Sequence, residues 1–164
     1  MNIRLCEMTI PLMRQFFREF SYDSDTFENP ADCAVYRYSE ESADAFYMKN
    51  QKPDRKHFAI LADNGVVGDL YLKRIDLTER SCTLSIHMKN DSAKNKGYGT
   101  KAEQLALKYA FEELQLERVY AEALIRNTRS RHVLEKVGFK EVHRDAKYSS
   151  YECRIGDWQA QTGL

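Results

Sequence analysis

The stretch with the strongest chemical character is Lys94-Asn95-Lys96-Gly97-Tyr98-Gly99-Thr100. It lies between a strand pattern and a helix pattern. Glycines at i and i+2 allow backbone conformations that other residues avoid, and they let a ligand approach the main chain. The free N–H groups and positive dipole end of the following helix favour a phosphate or pyrophosphate. Lys94, Lys96 and Lys101 add positive charge nearby. A tight loop with two convenient glycines would carry the same pattern. A Walker loop would need Gly-Lys before Ser or Thr, whereas Thr100 here precedes Lys101. A dinucleotide fingerprint would put glycine where Ala102 stands, after a continuous apolar strand. The strand before this loop alternates instead.

The elements that must position this loop follow from periodicity. Ile3 to Met8 reads as a strand, and Pro11 suits the first turn of a helix reaching about Phe20. Residues 22–56 mix breakers with Phe27, Tyr36, Tyr38, Phe46 and Tyr47, predicting one or two short helices or an irregular flap. Strands follow at His57 to Ala62 and Val66 to Asp76, joined by the turn Asp63-Asn64-Gly65. In Ser81 to Met88, Cys82, Leu84, Ile86 and Met88 alternate with polar residues, the pattern of a half-buried antiparallel strand. A helix is expected from Thr100 to about Leu114, then a strand from Arg118 to Ile125. Asn127 is an N-cap candidate and Gly138 a C-terminal stop for a second helix. Phe139 to Asp145 and Lys147 to Ile155 close the chain as two strands.

With these motifs in order, the chain resembles the GNAT acetyltransferases over roughly Phe58 to Tyr151. The family's loop, Gln/Arg-x-x-Gly-x-Gly/Ala, matches Lys94 to Gly99, with Lys94 in place of Gln or Arg. Its second signature matches Asn127, Ser130 and the helix ending at Gly138-Phe139. The Asn-x-x-Ser form, with Leu134, is most similar to the ribosomal-protein N-terminal acetyltransferase-like branch. The resemblance implies an α+β fold, a mixed and mostly antiparallel sheet of about seven strands flanked by about four helices. It implies one domain over residues 1–164, with the sheet splayed between Ser81–Met88 and Arg118–Ile125.

The implied cofactor is acetyl-CoA. Its pyrophosphate would rest on the loop of Lys94, Asn95, Lys96, Gly97, Tyr98, Gly99 and Thr100. Its pantetheine would run beside the backbone of Ile86 to Met88, with Asn127 and Ser130 near the arm. Arg126, Arg129 and Arg131 are placed either near the 3′-phosphate or on a solvated helix face. The implied reaction is direct transfer of an acetyl group to a primary amine in a ternary complex. The acceptor is a small-molecule amine or a protein N-terminus. The family's usual acid, Tyr, is replaced by Leu134, and the usual Glu base falls near Thr83. Candidates in their place are His87 as base, Glu122 to order water and Ser130 toward the leaving sulfur. Tyr148 and Tyr151 are further possible acids. Each also has a plain structural role open to it. The aromatic segment from Phe16 to Tyr47 is the expected acceptor wall, and Asp23, Asp25, Glu28 and Asp32 could favour a cationic amine.

Composition narrows the classes. Lys plus Arg and Asp plus Glu number 25 each, which argues against a general nucleic-acid binder. No apolar run suits a bilayer or a signal peptide, so a cytoplasmic location without membrane contact is expected. The four cysteines and four histidines are scattered, and no metal site is expected. A homodimer is expected from family habit. Two alternatives stay open: a non-catalytic acyl-CoA-binding or partner-binding module on the same fold, and a nucleotide-binding protein using the glycine loop.

Overall fold

The computed structural model describes residues 2–63 and 65–163, so Asn64 of the predicted turn lies outside them. One seven-stranded sheet runs β1-β2-β3-β4-β5-β7-β6. Its strands are β1 (Arg4–Glu7), β2 (Lys56–Ala62), β3 (Gly65–Asp76), β4 (Ser81–Met88), β5 (Arg118–Leu124), β6 (Lys140–Arg144) and β7 (Tyr148–Arg154). All neighbours are antiparallel except β4 and β5, which pair in parallel only where Ser81–Thr83 meets Arg118–Tyr120. β4 runs on to Met88 and β5 to Leu124, so beyond that short ladder the two strands part. The alternation within β4 therefore suits its β3 side, while its other edge is parallel and mostly unpaired by β5.

The two sheet faces are covered by different helices. α1 (Ile10–Arg18) and α2 (Glu40–Lys49) start at side-chain caps, Thr9 to the N–H of Leu12 and Ser39 to that of Ser42. They bury Met13, Phe16, Phe17 and Ala43 against Ala59 and Val66. α3 (Tyr98–Lys108) continues through a π-helical turn, Tyr109–Glu113, and buries Ala102, Ala106, Leu107, Ala110 and Phe111 against Leu70, Leu72, Leu84 and Val119. α4 (Thr128–Val137) starts at Asn127 and ends at left-handed Gly138, φ 118°.

There are five α-helices among the described residues, not about four, because α5 (Ile155–Thr162) follows β7. Its eight residues are too short to show a periodic stripe, and it is held mainly by Trp158 packed on Phe111, ring centroids 5.2 Å apart. Glu103, Leu107 and Phe111, on α3 and its π-helical turn, are buried. The π turn rotates the last residues relative to a regular helix. Residues 22–39, between α1 and α2, hold two short 3₁₀ turns, Ser24–Thr26 and Pro30–Asp32. No helix among the described residues is long and apolar enough to cross a membrane.

Candidate functional site

A cavity of about 810 Å³ lies at the Met88 end of β4, beyond its short ladder with β5. It is lined on one side by Gly97, Tyr98, Gly99 and Thr100 and on the other by the rings of Phe17, Phe20, Tyr36 and Phe46. A smaller cavity of about 170 Å³ lies between β4 and β5 themselves. Phe17 of α1 and Phe46 of α2 line the larger cavity together with Thr100 and Glu103 of α3 and Ser130 of α4. The cleft thus passes through the sheet and is reached from both helix layers. A donor on the α3–α4 side can meet an acceptor on the α1–α2 side without either crossing a packed core.

The glycine loop has the form an anion site requires. Gly97 is left-handed, φ 79°, and begins α3 with no side-chain cap, which leaves the first-turn N–H groups available. Asn95 is also left-handed, φ 58°. A Cβ built on Gly99 would meet nothing within 4 Å, so glycine there leaves open space over the helix start. Asn95, Gly97, Tyr98, Gly99 and Thr100 line the cavity, as do Ile86, Met88, Asn127 and Ser130. Asn127 Oδ1 accepts the Ser130 N–H at 3.2 Å, the expected cap. These residues fit a pyrophosphate followed by a narrow arm.

The basic residues are arranged differently from expectation. Lys94 Nζ is bonded to Asp23 at 2.8 Å and Asp91 at 2.5 Å, with 8% side-chain exposure, so its charge is already matched. Lys96 is exposed outside the cavity lining. Arg126 bonds the Ser24 carbonyl at 2.6 Å, Arg129 bonds Asp23 at 3.0 Å, and Arg131 bonds the Ile125 carbonyl at 2.9 Å. All three arginines are thus engaged by groups of the protein, and Arg129 also lines the cavity. Two of them clamp the 22–28 segment, and the third ties α4 to the end of β5. Glu28 completes the clamp through Lys147 Nζ at 2.8 Å and the Tyr148 hydroxyl at 3.1 Å. Desolvation opposes ionisation of Asp23, but Lys94, the Asp25 N–H and Arg129 outweigh it and hold its pKa low. Sequence periodicity could not show this clamp, because its partners are about a hundred residues apart.

Of the acid–base candidates, His87 has the most specific surroundings. Asp69 of β3 lies opposite it in register, and Asp69 Oδ1 is 3.3 Å from His87 Nδ1. That contact falls short of a well-aligned hydrogen bond. The other oxygen, Oδ2, is 2.9 Å from His57 Nε2. The His57 ring stacks on Tyr71, centroids 4.2 Å apart. Burial alone would raise the Asp69 pKa, yet the two histidines draw it down to about 2. Desolvation likewise lowers the His87 pKa, but the Asp69 carboxylate more than offsets it and leaves the pKa raised. Gly68 is required for this approach, since a Cβ there would lie 2.6 Å from the His87 carbonyl oxygen. His87 and Asp69 both line the larger cavity. His87 is legible in the sequence, whereas the only signal of Asp69 and His57 is that they are polar residues inside otherwise apolar strands.

The remaining candidates separate. Ser130 lines both cavities, and Glu122 is exposed at the edge of the smaller one. Tyr148 also lines the smaller cavity, but its hydroxyl is bonded to Glu28. Tyr151 is fully buried, with its hydroxyl bonded to Arg131 at 3.3 Å and Glu135 at 3.4 Å, and lies outside both cavities.

Residues 13–140 match the model of the acetyltransferase (GNAT) domain family. The chain therefore belongs to the GNAT family, the acyl-CoA-dependent N-acetyltransferases. It is 27% identical over 143 residues to the uncharacterized N-acetyltransferase YnaD of Bacillus subtilis strain 168, covering 81% of this chain and 83% of that protein. It is 34% identical over 146 residues to the same organism's "Putative ribosomal N-acetyltransferase YdaF", covering 82% and 77%. Among solved structures, a chimera of the Vibrio cholerae spermidine N-acetyltransferase SpeG and hSSAT superposes with a TM-score of 0.78. That likeness, at 17% identity over 96% of this chain and 98% of the chimera, is one of fold.

Proposed function

We propose that this protein, as a single domain, transfers an acetyl group from acetyl-CoA to a primary amine by direct transfer in a ternary complex. The observation that carries this is one continuous cleft with the uncapped glycine loop on one side and His87, backed by Asp69, on the other. When bound, acetyl-CoA supplies an activated thioester carbonyl. The first-turn N–H groups at Gly97 to Thr100 hold the diphosphate, and Asn127 and Ser130 flank the arm. His87 takes the proton from the acceptor ammonium, so that the amine's lone pair is free to attack. Asp69 fixes the imidazole and stabilises its charged form. The Ser130 hydroxyl donates a hydrogen bond to the sulfur that leaves as thiolate, and the nitrogen's remaining ammonium proton passes to that thiolate through water as the amide forms. Glu122 orders water at the edge of the splay.

The acceptor wall supports a small amine with an apolar or aromatic body. Phe17, Phe20, Tyr36 and Phe46 pack as stacked and edge-to-face rings beside the cleft. Asp23, Asp25 and Glu28 are each matched by a cation of the chain, and Asp32 is exposed outside the cavity lining. This differs from a site for a polyamine, whose second charge needs a carboxylate of its own. A protein N-terminus with an apolar first side chain would satisfy the same wall, and the name of YdaF supports that form of acceptor.

The test is thermal stabilisation by acetyl-CoA, CoA and ATP, followed by release of CoA thiol across a panel of amines. A ligand that binds only the folded state at a hundredfold excess over Kd adds about 2.7 kcal/mol. Stabilisation by acetyl-CoA with thiol release supports the assignment. Binding without turnover on any amine would indicate a non-catalytic module, and stabilisation by ATP alone would mean that the loop serves a nucleotide.

A further inference from the structure

Glu103 sits on α3 one turn beyond the glycine loop, among the buried residues Ala102, Ala106 and Leu107. It is 2% exposed, and its Oε2 atom has no hydrogen-bond partner. Its neighbours on the stripe are apolar, and a leucine would suit that helix face. A buried acceptor left without a partner costs about 1–3 kcal/mol, so the position calls for an explanation. The explanation lies in what the side chain faces. Glu103 lines both the large cavity and the small one between β4 and β5, together with Ile86, Asn127 and Ser130. It is therefore at the junction of the two cavities, where the strands part.

Burial alone raises the Glu103 pKa, to about 8, so the group is a neutral carboxylic acid at neutral pH. A neutral carboxyl presents one O–H donor and a carbonyl acceptor side by side. That is the complement of a secondary amide, which presents one carbonyl acceptor and one N–H donor. A carboxylate could only accept. The arm of coenzyme A carries secondary amides along the stretch that must pass from diphosphate to sulfur.

We infer that Glu103, unpartnered at the junction of the two cavities, is a binding residue for the acyl donor, whose carboxyl hydrogen-bonds an amide of the pantetheine arm. This rests on the acyl-CoA assignment above. It adds a buried side-chain contact to the loop and strand backbone and to Asn127 and Ser130, and it supplies the partner that Glu103 lacks within the protein.

The experiment is calorimetric titration of the folded protein with CoA and, separately, with adenosine 3′,5′-diphosphate, which lacks both amides. Wild type, Glu103→Gln and Glu103→Leu are compared at pH 7. Glutamine keeps a donor beside an acceptor, whereas leucine removes both and also removes the buried acid, so it should fold at least as well as wild type. The expected result is a loss of CoA affinity of roughly tenfold in Glu103→Leu, the size of one hydrogen bond. Glu103→Gln should stay within about threefold, a fraction of that same bond. Binding of the diphosphate should be unchanged in both. Equal or tighter CoA binding by Glu103→Leu overturns the inference and leaves the acyl-CoA assignment standing. An equal loss for CoA and the diphosphate also overturns it, because the effect would then lie in the loop. Failure of wild type to bind CoA at all would remove both.

Discussion

Asp69 and His87 face each other across the β3–β4 ladder, with 3.3 Å between Oδ1 and Nδ1 and with His57 fixed on the far oxygen of Asp69 at 2.9 Å. The pair has a pH signature. His87 must be neutral to accept a proton, and Asp69 raises its pKa, so activity should climb with pH through a value above the ordinary 6.5. Asp69→Asn removes the carboxylate, and the acid limb should move to lower pH while the plateau falls, because the base is weaker and less firmly oriented. His87→Gln should abolish the limb and lower kcat by roughly 10² to 10⁴, with little change in KM for the acyl donor. Pre-steady-state rates across pH 5.5 to 9, set about His87's ordinary value, make the comparison. An unmoved limb in Asp69→Asn would remove Asp69 from the mechanism.

Gly99 separates the cofactor site from the fold. Its backbone is not left-handed, and a Cβ there meets nothing within 4 Å. Gly99→Leu should leave the protein folded and raise its stability by up to about 1 kcal/mol, because glycine is a poor helix residue. The same side chain fills the space over the helix start. Acetyl-CoA should therefore no longer raise the melting temperature, which differential scanning fluorimetry would show directly. Retained stabilisation would place the diphosphate elsewhere.

What the sequence disclosed, and what it withheld, divides along physical lines. The loop from Lys94 to Thr100, the Asn127 cap and the Gly138 stop depend on local backbone demands, and such demands are written in consecutive residues. The β4 span agrees from Ser81 to Met88 because alternation is a local signal as well. The clamp of Asp23 by Lys94 and Arg129 joins distant segments, and charge alone does not reveal which cation a carboxylate will meet. Asp69 and Glu103 were hidden for a related reason. Each is a polar residue within an apolar pattern, and only the register of β3 on β4, or the opening between β4 and β5, shows what each one faces.

Acceptor choice follows from the wall and the clamp together. With Asp23, Asp25 and Glu28 engaged by Lys94, Arg126 and Lys147, a second ammonium finds no free carboxylate among these residues. An arylalkyl monoamine such as phenethylamine should show a kcat/KM at least about tenfold above that of spermidine, since burying an aromatic body is worth roughly 1–3 kcal/mol. Phe46→Ala should reduce that ratio by raising KM for the aryl amine. The assay is thiol release at saturating acetyl-CoA. A preference for spermidine would mean that the clamp opens to release its carboxylates.

Glu103 should also leave a mark on stability in the absence of any ligand. Its ordinary pKa of 4.5 applies to the unfolded chain, and burial raises the folded value to about 8. Between these values the folded protein holds a proton that the unfolded chain has released. The contribution is thus fully present below about pH 4.5 and is lost as pH rises toward about 8. Glu103→Gln cannot titrate, so the difference in unfolding free energy between it and wild type should grow in favour of the variant from pH 5 to pH 8. Urea unfolding at several pH values measures this, with the slopes compared to confirm that the same surface is exposed. Saturating CoA adds a second arm to the measurement. If the carboxyl is neutral when it meets the amide, the complex keeps its proton to higher pH than the free protein does. CoA binding should then take up protons near pH 8, where free Glu103 is half ionised, and Glu103→Gln should show no such uptake. Parallel pH curves for variant and wild type would mean that Glu103 ionises normally, and the hydrogen-bond argument would lose its donor.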